Sequence, residues 1–369
     1  MKNFATPFAL LLLILILPAW ARAEPIVVKD LLGREVRLEK PATRIVLGQG
    51  RHIQVLSLLT PDPVSLVVGW KEDFKRDKPS FDAYRRKFPA IDAITSVGQA
   101  NDPSFSVETA ISLKPDLVLL SLSVSESGDA DATHRIVDQL SGAGIPVAFV
   151  DFFTHPLTNS QSSLRLIGKL IGRERQAEDF IAFYQSHLGI VQTRLKDATS
   201  RPDVFIQVHA AGDDCCNSPG RGVFNDFIEA AGGHNIAADI LPGVIGKVSL
   251  EYLLQRNPHF YIATGGAHLA ARGGLVLGTG ATPSVAKDSF SRLLKTNGIA
   301  QLSAVREGRA FGIWHLFNDT PAHIVMIEQL AKWLHPDLFD DIDPDTTIAE
   351  INARFLAVPM EGTYWIGKD

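Results

Sequence analysis

The chain has 369 residues, 46% of them hydrophobic and 21% charged, with a formal net charge of −5. Such values belong to a folded globular protein long enough for about two domains. The acidic balance argues against a nucleic-acid partner, and past the N-terminus no apolar run approaches the ~18 residues of a membrane-spanning helix.

The N-terminus stands apart from the rest. Lys2 gives a charged start, Phe8 to Leu17 is a short apolar stretch, and Ala21-Arg22-Ala23 is a small-x-small cleavage site. This pattern predicts a secretory signal peptide over residues 1–23. The expected mature protein is exported, soluble and monomeric, with the periplasm of a Gram-negative cell as its destination.

After the signal, "VVKDLLGREVRL" reads as a hairpin turning at Gly33. Strand-like runs follow at Arg44–Leu47, Ser65–Trp70, Asp116–Leu122 and Ile145–Val150. Helical runs fall between them, notably Thr133–Leu140, which is the alternation of a parallel sheet covered by helices. From Thr158 to about Ala198 no strand is expected. There Phe180, Tyr184, Leu188, Val191 and Leu195 form one apolar stripe on a long helix. "TSRPD" at 199–203 ends it. Alternation then resumes with Val204–Val208, a helix Val223–Ala231, strands His259–Thr264 and Arg309–Trp314, and a helix Pro321–Leu334. The predicted fold class is α/β: two Rossmann-like lobes with mainly parallel sheets joined by one long α-helix. The predicted organisation is signal peptide 1–23, N-terminal lobe 24–157, linking helical segment 158–200, and C-terminal lobe with C-terminal helices 201–369.

One phrase is written twice. "SVETAISLKPDLVLL" begins at Ser106 and "SLEYLLQRNPHFYI" at Ser249. Each reads Ser, apolar, Glu and a short helical stretch. Each then has a Pro, Pro115 or Pro258, that opens an apolar strand. The repeat sits at a comparable place in each lobe.

With "DLLGREVRLEKPATRIV", "GIPVAFVD" and "FNDFIEAAGG", these segments resemble the helix-bridged periplasmic binding proteins of iron–siderophore, haem and cobalamin ABC importers. The resemblance spans nearly all of residues 26–335. It implies a binding protein with no chemistry of its own and no cofactor, a small-molecule metal chelate as ligand, and membrane permease subunits as partners. It also implies that Glu108 and Glu251, one per lobe, dock onto those two subunits. The local alternative is that each Glu complements its own helix N-terminus.

Ligands of open α/β sheets bind beyond the carboxyl ends of the strands. The residues there are Arg51 and His52, Trp70 and Lys71, His209 and Arg221, His268 and Arg272, and Trp314 and His315. Cationic, imidazole and aromatic side chains suit a bulky anionic or chelated ligand, gripped by guanidinium hydrogen bonds and ring stacking. The histidines also suit a rival reading, direct coordination of a bare metal ion, in which case the ligand is no chelate.

Cys215 and Cys216 are the only cysteines, and they are adjacent. Pairing with each other, remaining as free thiols and pairing between molecules all stay open. No H-E-x-x-H, G-x-S-x-G or Walker loop is present, so a metal-dependent hydrolase is the weaker alternative. "GGLVLGTG" at 273–280 is read as a flexible loop flanking the cleft.

Overall fold

The computed structural model describes residues 24–100, 105–122, 130–211 and 215–367. The signal peptide expected over residues 1–23 lies outside the described residues. The first hairpin is β1 (Ile26–Lys29) against antiparallel β2 (Glu35–Leu38). Gly33 takes a left-handed φ of 74° at its turn, where a side chain would be strained.

The N-terminal lobe is a parallel five-stranded sheet. Its strands are β3 (Ile45–Leu47), β4 (Val67–Lys71), β5 (Thr95–Gly98), β6 (Leu117–Ser121) and β7 (Val147–Val150). They lie in the order β5-β4-β3-β6-β7. Strands β3, β6 and β7 are buried on both faces, which is why they read as unbroken apolar runs rather than alternating ones.

The C-terminal lobe repeats the plan. Parallel strands β8 (Asp203–Gln207), β10 (His234–Asn235), β12 (Phe260–Gly265) and β14 (Ala310–Trp314) are joined at one edge by an antiparallel strand, β16 (Trp365–Gly367). The order is β10-β8-β12-β14-β16. A small flap pairs β9 (Asn217–Pro219) with β11 (Ile245–Lys247). The segment expected as a free loop at 273–280 holds a two-residue strand, β13 (Gly278–Thr279), paired with β15 (Gly362–Thr363).

The link between lobes is a helical hairpin. Helix Pro156–Leu170 is followed by helix Glu174–Arg194, and the chain turns at Gly172, whose φ is 65°. Arg165 pairs with Glu178 and Gln161 with Gln185, so the two helices run antiparallel. The long helix expected from the apolar stripe is the second of the pair, 21 residues long. Phe180, Tyr184 and Val191 of the stripe are buried, and Leu188 and Leu195 pack at its margin. One apolar core runs through both lobes and this linker.

The C-terminal segment ties the lobes a second time. Helix Pro344–Arg354 ends at Phe355, which packs edge-on against Phe180 at a centroid distance of 5.0 Å. The Ala357 amide then donates to Ser57 Oγ at 2.9 Å, and Lys87 Nζ donates to the Ala357 carbonyl. Ser57 and Lys87 both belong to the N-terminal lobe. The chain then returns to the C-terminal lobe as β15 and β16.

Candidate ligand site

A cavity of roughly 220 Å³ opens between the lobes. On the N-terminal side, Arg51 follows β3 in a short turn, and Asp73, Arg76 and Asp77 follow β4. On the C-terminal side, His209 follows β8 and His268 follows β12. His315, Asn318 and Asp319 follow β14. All come from the carboxyl ends of parallel strands, where the fold leaves a crevice. Phe153, Phe224 and Ile245 of the flap supply apolar wall.

The three histidines form a cluster. His209 Nδ1 lies 3.0 Å from His268 Nε2, and the His209 and His315 rings are tilted against each other with centroids 3.7 Å apart. Thr264, in β12, organises them. Its Oγ1 accepts from the His209 amide at 2.9 Å and pairs with His315 Nδ1 at 2.8 Å. His209 holds a left-handed φ of 51°, a backbone strain that concentrates at functional sites. Burial pushes the His209 pKa down to about 4, helped by His268, Arg76 and Arg272. Burial likewise lowers His268 and pushes His315 well below the usual histidine range. The cluster is therefore neutral near pH 7. It offers ring N–H donors and lone pairs, and no positive charge to grip an anion.

The charged residues are more acidic than the sequence suggested. Arg51 donates to Asp319 Oδ1 at 2.6 Å, and its Nε lies 3.1 Å from Asp73 Oδ2 without hydrogen-bonding geometry. Burial disfavours its charge, but Asp319 and Asp73 outweigh this and hold the guanidinium above its ordinary range. Asp77 is the reverse case: burial pushes its carboxyl up to about 6.

Of the ten residues expected at the cleft, Arg51, His209, His268 and His315 line this cavity. His52 is buried behind it, edge-on to Phe152. Trp70 is fully buried among Phe74 and Phe81, because the last turns of β4 point it into the core. Lys71 is partly buried and off the cavity wall. Trp314 is buried beside a void of about 30 Å³, packed on Phe317 and Tyr364. Arg221 and Arg272 are exposed, and the charge of Arg272 helps lower the His209 pKa. Asp73, Asp77, Asn318 and Asp319 were missed. They sit two to six residues beyond the strand ends, on short turns that fold back over the cavity.

Cys215 and Cys216 are paired with each other, across a cis peptide, at the entry to β9. The two repeated phrases are capped helices. Ser106 Oγ accepts from the Thr109 amide and Ser249 Oγ from the Tyr252 amide, leaving Glu108 and Glu251 exposed in the first turn. Among the described residues, no group of three or more His, Cys, Asp or Glu side chains is arranged to hold a metal ion. Among them, too, no helix is long and apolar enough to cross a membrane.

Two parallel-stranded lobes, a helical link and a cavity at facing strand ends define a bilobal binding protein. The chain belongs to the periplasmic binding protein family, whose model matches residues 45–313. Its relatives are substrate-binding components of ABC transporters and not enzymes. It is 26% identical over 251 residues to the uncharacterized ABC transporter substrate-binding lipoprotein YvrC of Bacillus subtilis, covering 67% of this chain and 71% of that protein. It is 22% identical over 355 residues to the molybdate-binding protein MolA of Haemophilus influenzae, covering 89% and 90%. The TroA-like periplasmic binding protein FepB of Veillonella parvula superimposes with a TM-score of 0.84 at 24% identity, over 94% of this chain and 100% of that one.

Proposed function

We propose that the protein is the periplasmic binding component of an ABC importer and carries a compact iron chelate, a ferric siderophore or a similar complex, between its lobes. The observation that carries this is the wall chemistry. Neutral imidazoles, aromatic rings and hydrogen-bonding side chains converge on one interlobe cavity. A ligand that is part metal complex and part organic scaffold uses all three.

Competing ligands match that wall less well. A cavity of roughly 220 Å³ is below the about 300–1,000 Å³ of ordinary small-molecule pockets, so a ferric siderophore, haem or cobalamin each requires a wider opening, and size does not separate them. An oxyanion such as molybdate, the ligand named for the Haemophilus relative, would meet Asp73, Asp77 and Asp319 against two guanidiniums, Arg76 and an Arg51 already shared by two of the carboxylates. A bare ion would meet the histidine cluster, but among the described residues no group of three or more His, Cys, Asp or Glu side chains is arranged to hold a metal ion.

Glu108 and Glu251 are the proposed contacts with the two permease subunits. They project from corresponding capped helices, one per lobe. A partner built from two like subunits calls for two like contacts.

The test is a titration followed by intrinsic Trp fluorescence and calorimetry. The panel is ferric hydroxamate and catecholate chelates, haem, cobalamin, molybdate and free zinc. Saturable one-to-one binding of a ferric chelate is expected. Tight binding of molybdate or zinc with no chelate binding would reject the proposal.

A further inference from the structure

Two acceptor atoms on the cavity wall have no hydrogen-bond partner: Asp77 Oδ2 and Asn318 Oδ1. Both residues are buried, with 6% and 2% of their surface exposed. They come from opposite lobes. Asp77 stands at the start of helix Lys78–Lys87 and Asn318 in the turn after β14, and both face the same cavity. Buried polar atoms are almost always paired, so two orphans on one wall mark a place where a partner belongs. Of the other polar groups of the wall, His209 pairs with His268, His315 pairs with Thr264, and Arg51 donates to Asp319 while its Nε remains a third orphan, a donor; Arg76 is exposed.

We propose that Asp77 and Asn318 form an acceptor subsite that takes a charged N–H donor, an ammonium group, carried by the bound chelate. A carboxylate and an amide oxygen both accept, and neither orphan atom offers a proton near neutral pH. A charged donor gives the stronger bond to a carboxylate, so an ammonium is preferred over an amide. A chelate that presents only acceptors, such as a citrate complex, would leave both atoms unpaired and place like partial charges together. The inference rests on the chelate reading above and goes one step further, to the functional group that distinguishes one chelate from another.

The experiment uses the full mature protein and matched ligand pairs that differ only in the donor. One pair is ferric desferrioxamine B, with its pendant ammonium, and the N-acetyl form. The other is ferric 2,3-dihydroxybenzoyl-lysine and its Nε-acetyl form. The amine member of at least one pair should bind about tenfold tighter, as a charge-assisted hydrogen bond allows. That ratio should collapse toward one in both Asp77→Asn and Asn318→Leu. Asp77→Asn removes a buried charge, so its melting temperature should hold or rise, separating loss of recognition from loss of folding. Equal binding of both members in the unaltered protein overturns the subsite and leaves the chelate reading standing. Failure of both pairs and of the wider chelate panel overturns the chelate reading and the subsite with it.

Discussion

Arg51 of the N-terminal lobe and Asp319 of the C-terminal lobe, 268 residues apart, meet at 2.6 Å across the cavity. Asp319 is buried and Arg51 partly so. Removing Asp319 leaves the Arg51 guanidinium with Asp73 alone, which costs about 3 kcal/mol here, the low end of the range for a broken buried pair because Arg51 keeps that partner and some solvent. Asp319→Ala should therefore lower the melting temperature and enlarge the radius of gyration seen by small-angle scattering. Arg51→Met combined with Asp319→Leu should recover part of the stability. A single variant with unchanged melting and unchanged dimensions would show that the bond does not hold the lobes.

Four histidines, His52, His315 and His323 buried and His209 half-buried, set the response to acid. Burial lowers His52 and His323 to about 3, His209 to about 4, and His315 well below the usual range. Their folded pKa values lie below the unfolded value near 6.5. Their contribution is thus complete above pH 6.5 and is lost as pH falls toward the folded values. At pH 5 the loss is about 2 kcal/mol for a group such as His52. Melting temperature should fall between pH 7 and 5. His52→Leu should flatten that slope, because His52 Nδ1 has no partner to lose. An equally steep slope in the variant would remove His52 from the account.

Glu108→Ala and Glu251→Ala should leave chelate affinity unchanged and reduce uptake in cells. Both carboxylates are exposed, and neither residue lines the cavity. Exposed ion pairs are worth about 0–1 kcal/mol, so their effect falls on register rather than on affinity. Normal uptake by either variant would leave that glutamate with only its local role at the helix start.

The cysteine pair should matter to the ligand more than to the fold. Cys216 lies in the loop that carries the chain from His209 to the flap, and its carbonyl accepts from the Val248 amide at 2.9 Å. Thiol titration of unreduced protein should find no reactive thiol. Reduction should then shift chelate affinity while melting temperature moves little, since a link without intervening residues closes no loop. Unchanged affinity after reduction would separate the pair from binding.

The sequence made the repeating architecture legible because its signals are local. The Ser caps at 106 and 249, the apolar stripe from Phe180 to Val191 and the unbroken strand runs each lie within one element. What it concealed is long-range. Strand β16 is three residues long and exists only because β14 offers an edge. The hairpin at Gly172 depends on a turn that lets helix Pro156–Leu170 fold back on its successor. Arg51 looked like a free cation because its partners Asp73 and Asp319 cannot be paired with it by spacing. Trp70 looked like a cleft residue because strand-end position does not say which face a side chain takes.

The tie through Ala357 has a consequence for the order of events in folding. The bonds to Ser57 and Lys87, and the edge strand after them, come from the last dozen or so residues described. A chain delivered from its N-terminus can complete the first sheet early, but it cannot add this second fastening until almost all of it has emerged. Until then the two walls of the cavity are held only by the helical hairpin and by contacts such as Arg51 with Asp319.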